Sequence, residues 1–150
     1  MRLIDYDSWL APFALQLEKR RANYEAKTDD IENRWGSLLN FASSHKFFGL
    51  HRHGDGWVFR EWAPNATEVY LVGAFSGWKP LVQYRLQRHE KGVWQIEISG
   101  AELKHGDHYK LWVVWPGGAG MRIPSHATRT IQDPKTFLFS AQVWDTGPFK

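Results

Sequence analysis

The sequence predicts a mostly β chain: an antiparallel β-sandwich preceded by two short α-helices. Two observations carry this. Apolar residues recur at spacings of three, four and seven through the first part of the chain and at a spacing of two from Trp57 onward. Beyond Trp57 the chain is also cut at short intervals by Gly, Pro, Asn and Asp, the punctuation of closely spaced strands rather than of alternating strand-helix units.

The first helix is expected from Asp7 to about Glu25, with Trp9, Leu10, Phe13, Leu17 and Tyr24 on one face. Asp7 or Ser8 can cap it, and Pro12 is tolerable in a first turn. A second is expected after Thr28-Asp29-Asp30, capped by Asp29 or Asp30, with Ile31, Trp35, Leu38 and Leu39 on one stripe. Gly49 closes this region, so residues 1–50 form a helical amino-terminal segment and 51–150 the sandwich.

Strands are expected at Trp57–Trp62, Glu68–Phe75, Tyr84–Arg88, Val93–Ile98 and His108–Trp115, with weaker ones at Arg129–Gln132 and Phe139–Trp144. Gly54-Asp55-Gly56, Pro64-Asn65, Ser76-Gly77, Lys91-Gly92, Gly106-Asp107 and Pro116-Gly117-Gly118 read as turns. In the strand from His108, alternation puts Tyr109, Leu111, Val113 and Trp115 on one face and His108, Lys110, Trp112 and Val114 on the other. Either that second face is covered too, or Lys110 and Trp112 belong to a binding surface.

Composition bounds the function. With 150 residues, 43% of them hydrophobic, the chain can bury a core for one domain plus a short appendage. The absence of cysteine excludes disulfides and thiolate chemistry, and no run of about 18 apolar residues is present to span a membrane. Charges in the first seven residues argue against a signal peptide and for a cytoplasmic protein. The net charge of +3 raises nucleic acid as a partner, but Lys19-Arg20-Arg21 follows Glu18 and precedes Glu25 by a turn, the pattern of a solvated helix face. Neither nucleic acid nor a membrane is expected as a partner. Nine tryptophans, nine phenylalanines and five tyrosines exceed what a core of this size hides easily, so several indoles are expected at surfaces or in half-open grooves.

Phe59-Arg60-Glu61-Trp62-Ala63-Pro64-Asn65-Ala66, then Val69 through Trp78, then Gly92-Val93-Trp94 and His105 through Leu111 resemble carbohydrate-binding module family 48. Arg122-Ile123-Pro124, Gln132-Asp133-Pro134 and Val143-Trp144-Asp145 are similar to the form found in 1,4-α-glucan branching enzymes of glycoside hydrolase family 13. So are Trp9-Leu10-Ala11-Pro12 and Lys46 through Leu50 in the helical lead-in. The resemblance implies an immunoglobulin-like sandwich that binds α-glucan (glycogen, starch or maltooligosaccharide) ahead of a catalytic barrel in an enzyme of glycogen biosynthesis. By that resemblance the barrel would begin about where this sequence stops, and because it takes about 250 residues it cannot lie within these 150. No catalytic residue, cofactor or metal is therefore expected in these residues. A docking domain that never touches sugar, and a free-standing glycogen-sensing module, remain alternatives.

A glucan receptor needs a flat aromatic surface under a sugar ring and polar groups beside it. The resemblance assigns sugar contact to Trp78, in a turn between strands, and to Lys110. Trp112 and Trp115 complete the candidate set, although Trp115 precedes the turn in which some members carry a second tryptophan. This chain has Gly117-Gly118-Ala119-Gly120-Met121 there. Trp57, Trp62, Trp94 and Trp112 alternate within strands, where packing alone favours aromatics. His51, His53 and Asp55, the pair His105 and His108, and the carboxylates Glu61, Glu102 and Asp107 lack the spacing that would make a metal site or a catalytic pair.

Overall fold

Every strand pairing is antiparallel, and the strands form two sheets. The computed structural model describes residues 3–145. The chain divides between Ser44 and His45 into a helical unit and a strand unit.

The strands are β1 (Gly49–His53), β2 (Gly56–Trp62), β3 (Glu68–Gly73), β4 (Gln87–Arg88), β5 (Val93–Ser99), β6 (His108–Trp115), β7 (Gly118–Arg122), β8 (Thr130–Gln132) and β9 (Phe139–Gln142). One sheet has the order β1-β2-β5-β4; the other runs β3-β6-β9-β8, with β7 also paired to β6. Trp57, Phe59, Trp94 and Ile98 from the first sheet meet Val69, Leu71, Tyr109, Leu111 and Ala141 from the second in one core. The rings of Phe59 and Tyr109 contact edge-on at 6.1 Å across it. Buried indoles satisfy their N–H groups there: Trp57 donates to Leu103 O (2.7 Å) and Trp94 to Ala63 O (2.9 Å). Burial pushes the Tyr109 phenol pKa upward, with the nearby Glu61 carboxylate adding to it.

The mostly β sandwich with helices before it is what the sequence predicts, but the helices divide differently. Helix α1 (Leu3–Tyr6) leads to a 3-10 segment, Ser8–Phe13, that holds Pro12 and is capped by Asp7 accepting from Trp9 N–H (3.0 Å). Helix α2 (Ala14–Trp35) then runs unbroken through Thr28-Asp29-Asp30 to Gly36 (φ 81°), and α3 (Leu38–Ala42) starts from a Ser37 cap. An aspartate caps only where something stops the preceding helix, and residues 26–30 contain neither Gly nor Pro. Asp30 instead pairs with Arg34 one turn on (2.6 Å). No residue of α1, α2 or α3 is buried.

Two strands go beyond the sequence expectation. β1 begins at Gly49, inside the segment expected to be helical, and its polar sequence has a single regular apolar residue, Leu50. Arg52 takes the next inward position by laying its guanidinium 4.6 Å from the Trp57 ring centroid. β7 forms from the glycine-rich stretch expected to be only a turn.

Candidate functional site

The outer face of the sheet containing β3, β6 and β7 gathers the candidate residues. Lys110 and Trp112 point away from the core, and the register across β3 sets Val72 beside Lys110, Tyr70 beside Trp112 and Glu68 beside Val114. On the other flank of β6, Met121 lies opposite Trp112. A bridge between Tyr70 and Arg85 extends this row to a fourth segment. Arg85, Tyr70, Trp112 and Met121 thus cross the sheet as one band. Val72 and Tyr70 on this face are buried, Lys110 and Trp112 are half-buried and Met121 is exposed, so the open part of the band lies over β6 and β7. At its end the Glu68 carboxylate accepts a hydrogen bond from the Tyr70 hydroxyl (2.7 Å) and pairs with Arg85 (3.1 Å). That hydrogen bond to Glu68 is the main reason the Tyr70 phenol pKa is raised.

Trp78 stands at the other end. After β3 the chain makes a 3-10 turn, Ala74–Ser76, and then places Gly77 (φ 59°) and Trp78 (φ 60°) in the left-handed region. A bulky aromatic residue with positive φ is a backbone outlier that costs about 1–3 kcal/mol. The turn holds it there: Trp78 N–H donates to Gly73 O (2.8 Å), and the Ser76 hydroxyl bonds both ends of Gly73 (3.1 Å each). Gly73 itself cannot change, since a Cβ would lie 2.6 Å from both Phe75 and the His108 carbonyl. Gly73 pairs with Tyr109 and its neighbour Val72 with Lys110, so the Trp78 backbone is anchored one step from Lys110. The indole is 37% exposed.

Trp115 lies on the opposite face. Its ring packs 3.2–3.3 Å from the position a Cβ on Gly118 would take and 3.6 Å from that on Gly120, and Arg122 stacks over it at 5.0 Å. The alternate glycines of β7 form a flat floor for this indole. The structure therefore puts Lys110 and Trp112 on one face, anchors the Trp78 backbone at the end of the neighbouring strand, and leaves Trp115 on the opposite face. Of the other tryptophans in strands, Trp57 and Trp94 are core, whereas Trp62 is exposed on the outer face of the other sheet, its N–H bonded to Lys91 O (3.0 Å).

A family model described as carbohydrate-binding module 48 (isoamylase N-terminal domain) matches residues 47–134. The chain belongs to carbohydrate-binding module family 48. The module and its helical lead-in are also 32% identical over 150 residues to a 1,4-alpha-glucan-branching enzyme of Dictyostelium discoideum. That match covers 96% of this chain and 22% of the relative. A 1,4-alpha-glucan-branching enzyme of Yarrowia lipolytica is 34% identical over 147 residues, covering 93% and 21%. The chain thus spans about a fifth of the length of the curated relatives it matches. Among solved structures, the type I pullulanase of Bacillus subtilis complexed with maltose shares the fold, with a TM-score of 0.51, 23% identity, and coverage of 69% of this chain and 14% of that one.

Glu61, Glu102, Asp107, His51, His105 and His108 each have a structural partner, in separate places. Glu61 is buried and accepts from Ser125 N–H (3.0 Å) and from the Ser125 hydroxyl, fixing the loop before β8. Glu102 accepts from the Tyr84 hydroxyl (2.9 Å), and Asp107 from Lys104 N–H (2.7 Å). His51 bonds Phe48 O, His105 accepts from Asp145 N–H (3.0 Å), and His108 meets Gln142. Among the described residues no three His, Cys, Asp or Glu side chains gather where a metal could sit. Sequence reasoning missed Met121, Glu68 and Arg85 as members of the open face and Tyr70 as the buried residue beside Trp112. Only the strand register, across β3 for Tyr70 and across β7 for Met121, reveals these two as neighbours of Trp112.

Proposed function

We propose that this module binds α-glucan on the outer face of the β3-β6-β7 sheet, as the amino-terminal part of a cytoplasmic 1,4-α-glucan branching enzyme of glycogen biosynthesis. It holds glucan for a catalytic barrel elsewhere in the polypeptide. The supporting observation is an exposed indole, Trp78, kept at an unfavourable φ beside Lys110 and Trp112 in a chain of this family. Trp78 and Trp112 offer flat apolar surface to the C–H faces of sugar rings, and the Lys110 ammonium donates to their hydroxyls. Covering one sugar face is worth about 1–2 kcal/mol at about 25 cal/mol per Å². Two or three such contacts, less the cost of association, give a Kd of about 1 mM. The role is retention of a polymer with many such units rather than tight capture of one.

A second surface serves the rest of the enzyme in this reading. The β8-β9 hairpin exposes Phe137, Leu138 and Phe139 together, with Phe137 70% exposed, an apolar group that suits protein rather than sugar. Titration with maltoheptaose, followed by tryptophan fluorescence in the parent and in Trp78→Ala, tests the glucan assignment. A saturable response in the millimolar range that Trp78→Ala abolishes supports it. An identical response in both proteins removes Trp78 from the site.

A further inference from the structure

We infer that the glucan site extends along β6, over Lys110 and Trp112, to a distal subsite at Arg85, which the module uses to prefer longer α-glucan chains. This rests on the glucan-binding reading above and adds to it a chain-length preference and the residues that set it.

The face is long. From Gly73, which anchors Trp78, to Glu68 the chain runs five residues along β3, about 17 Å at the usual strand rise of about 3.4 Å. That is several times the width of one sugar ring, so a ligand stacked on Trp78 reaches the far end only if it contains several consecutive glucose units. Between the two ends Val72 and Tyr70 of β3 are buried, and the floor open to a ligand is made by the half-buried Lys110 and Trp112 of β6 with the exposed Met121 on the far flank.

The far end is polar and its geometry is set in advance. Arg85 is held by Glu68 (3.1 Å), and Glu68 is held in turn by the Tyr70 hydroxyl (2.7 Å). The ion pair commits one guanidinium nitrogen, while the Arg85 side chain remains 48% exposed, which leaves N–H donors facing solvent. Arg85 also lines a cavity of about 560 Å³ at the sandwich edge, beside Thr67, Gln87 and Arg88 and backed by Trp94. Adjacent sugar hydroxyls present two acceptors at a spacing that suits a guanidinium fork, and donors already fixed in place lose less side-chain entropy on binding. Arg85 is the contact residue of this subsite; Glu68 and Tyr70 are positioning residues.

The test compares affinities for maltotriose and maltoheptaose in the full chain, using Arg85→Ala and Glu68→Gln with Trp78→Ala alongside. The parent protein should bind maltoheptaose more tightly. Arg85→Ala should weaken maltoheptaose by about three- to tenfold, within the range for one ordinary hydrogen bond, and leave maltotriose unchanged. Glu68→Gln should give a smaller loss in the same length-dependent pattern, and it keeps the test informative if Arg85→Ala fails to fold. Equal effects on both sugars, or none, overturn the distal subsite. Failure of the parent to bind either sugar, or indifference of both to Trp78→Ala, instead overturns the underlying glucan assignment.

Discussion

Replacing Trp78 with alanine and, separately, with glycine divides its two roles. A tryptophan side chain presents up to about 250 Å², and 37% of the residue is exposed, leaving about 90 Å² for a ligand to cover. At about 25 cal/mol per Å² that surface is worth about 2 kcal/mol if fully covered and about 1 if a sugar shields half of it. Both substitutions should therefore weaken maltoheptaose binding by about five- to thirtyfold. Their stabilities should differ in the unusual order. At φ 60° alanine keeps the left-handed penalty and glycine does not, so Trp78→Gly should exceed Trp78→Ala by about 1 kcal/mol. Across a domain of this size that is about 3 °C in Tm. Calorimetric titration measures the first effect and thermal unfolding by circular dichroism the second. Undiminished affinity in both variants refutes the platform, and greater stability of the alanine variant refutes the strained conformation.

Lys110→Met keeps the aliphatic stem and removes the donor, so it should weaken maltoheptaose about threefold or more while leaving Tm within about 1 °C, as titration and thermal unfolding will show. Gly118→Val drives a branched side chain into the Trp115 ring, whose atoms lie 3.2–3.3 Å from the Cβ position. Overpacking of this kind costs about 1–3 kcal/mol, and because it acts on the face away from Lys110, urea unfolding should register the loss while glucan affinity holds. The third concerns pH. Asp133 accepts N–H bonds from Thr136 (2.7 Å) and Lys135 (2.9 Å), which hold its pKa below the ordinary 3.8. A depressed carboxylate contributes stability that is present above its unfolded pKa and lost as pH falls through the folded one. Protection of the Thr136 amide against exchange, taken relative to its intrinsic rate at each pH, should therefore fall only as pH drops below 3.8, and Asp133→Asn should remove that fall.

Much of the sandwich was legible because its core strands are short runs rich in β-branched and aromatic residues. Trp57 to Trp62, Glu68 to Gly73 and His108 to Trp115 are each bounded by strong turns, although none alternates strictly. β1 was hidden because it buries Leu50 and an arginine stem instead of two apolar residues, and β7 because glycines that normally mark turns here make room for Trp115. The merged helix shows the limit of reading caps alone: Asp29 and Asp30 have cap chemistry, yet no residue nearby breaks the helix. At the site, alternation along β6 separated Lys110 and Trp112 from Trp115 correctly. It could not reveal Tyr70 and Met121, because neighbours across strands depend on register, and register depends on the whole core.

The most direct test of the glucan-binding face is a map of amide chemical shifts in the isotopically labelled chain during titration with maltoheptaose to several times a Kd of about 1 mM. Shifts should concentrate on Gly77 to Lys79, Val72, Lys110, Trp112 and Met121, spreading to Tyr70 and Arg85 with the long ligand and not with maltotriose. Shifts confined to the Trp62 face or to the β8-β9 hairpin, or an unchanged spectrum, would contradict it.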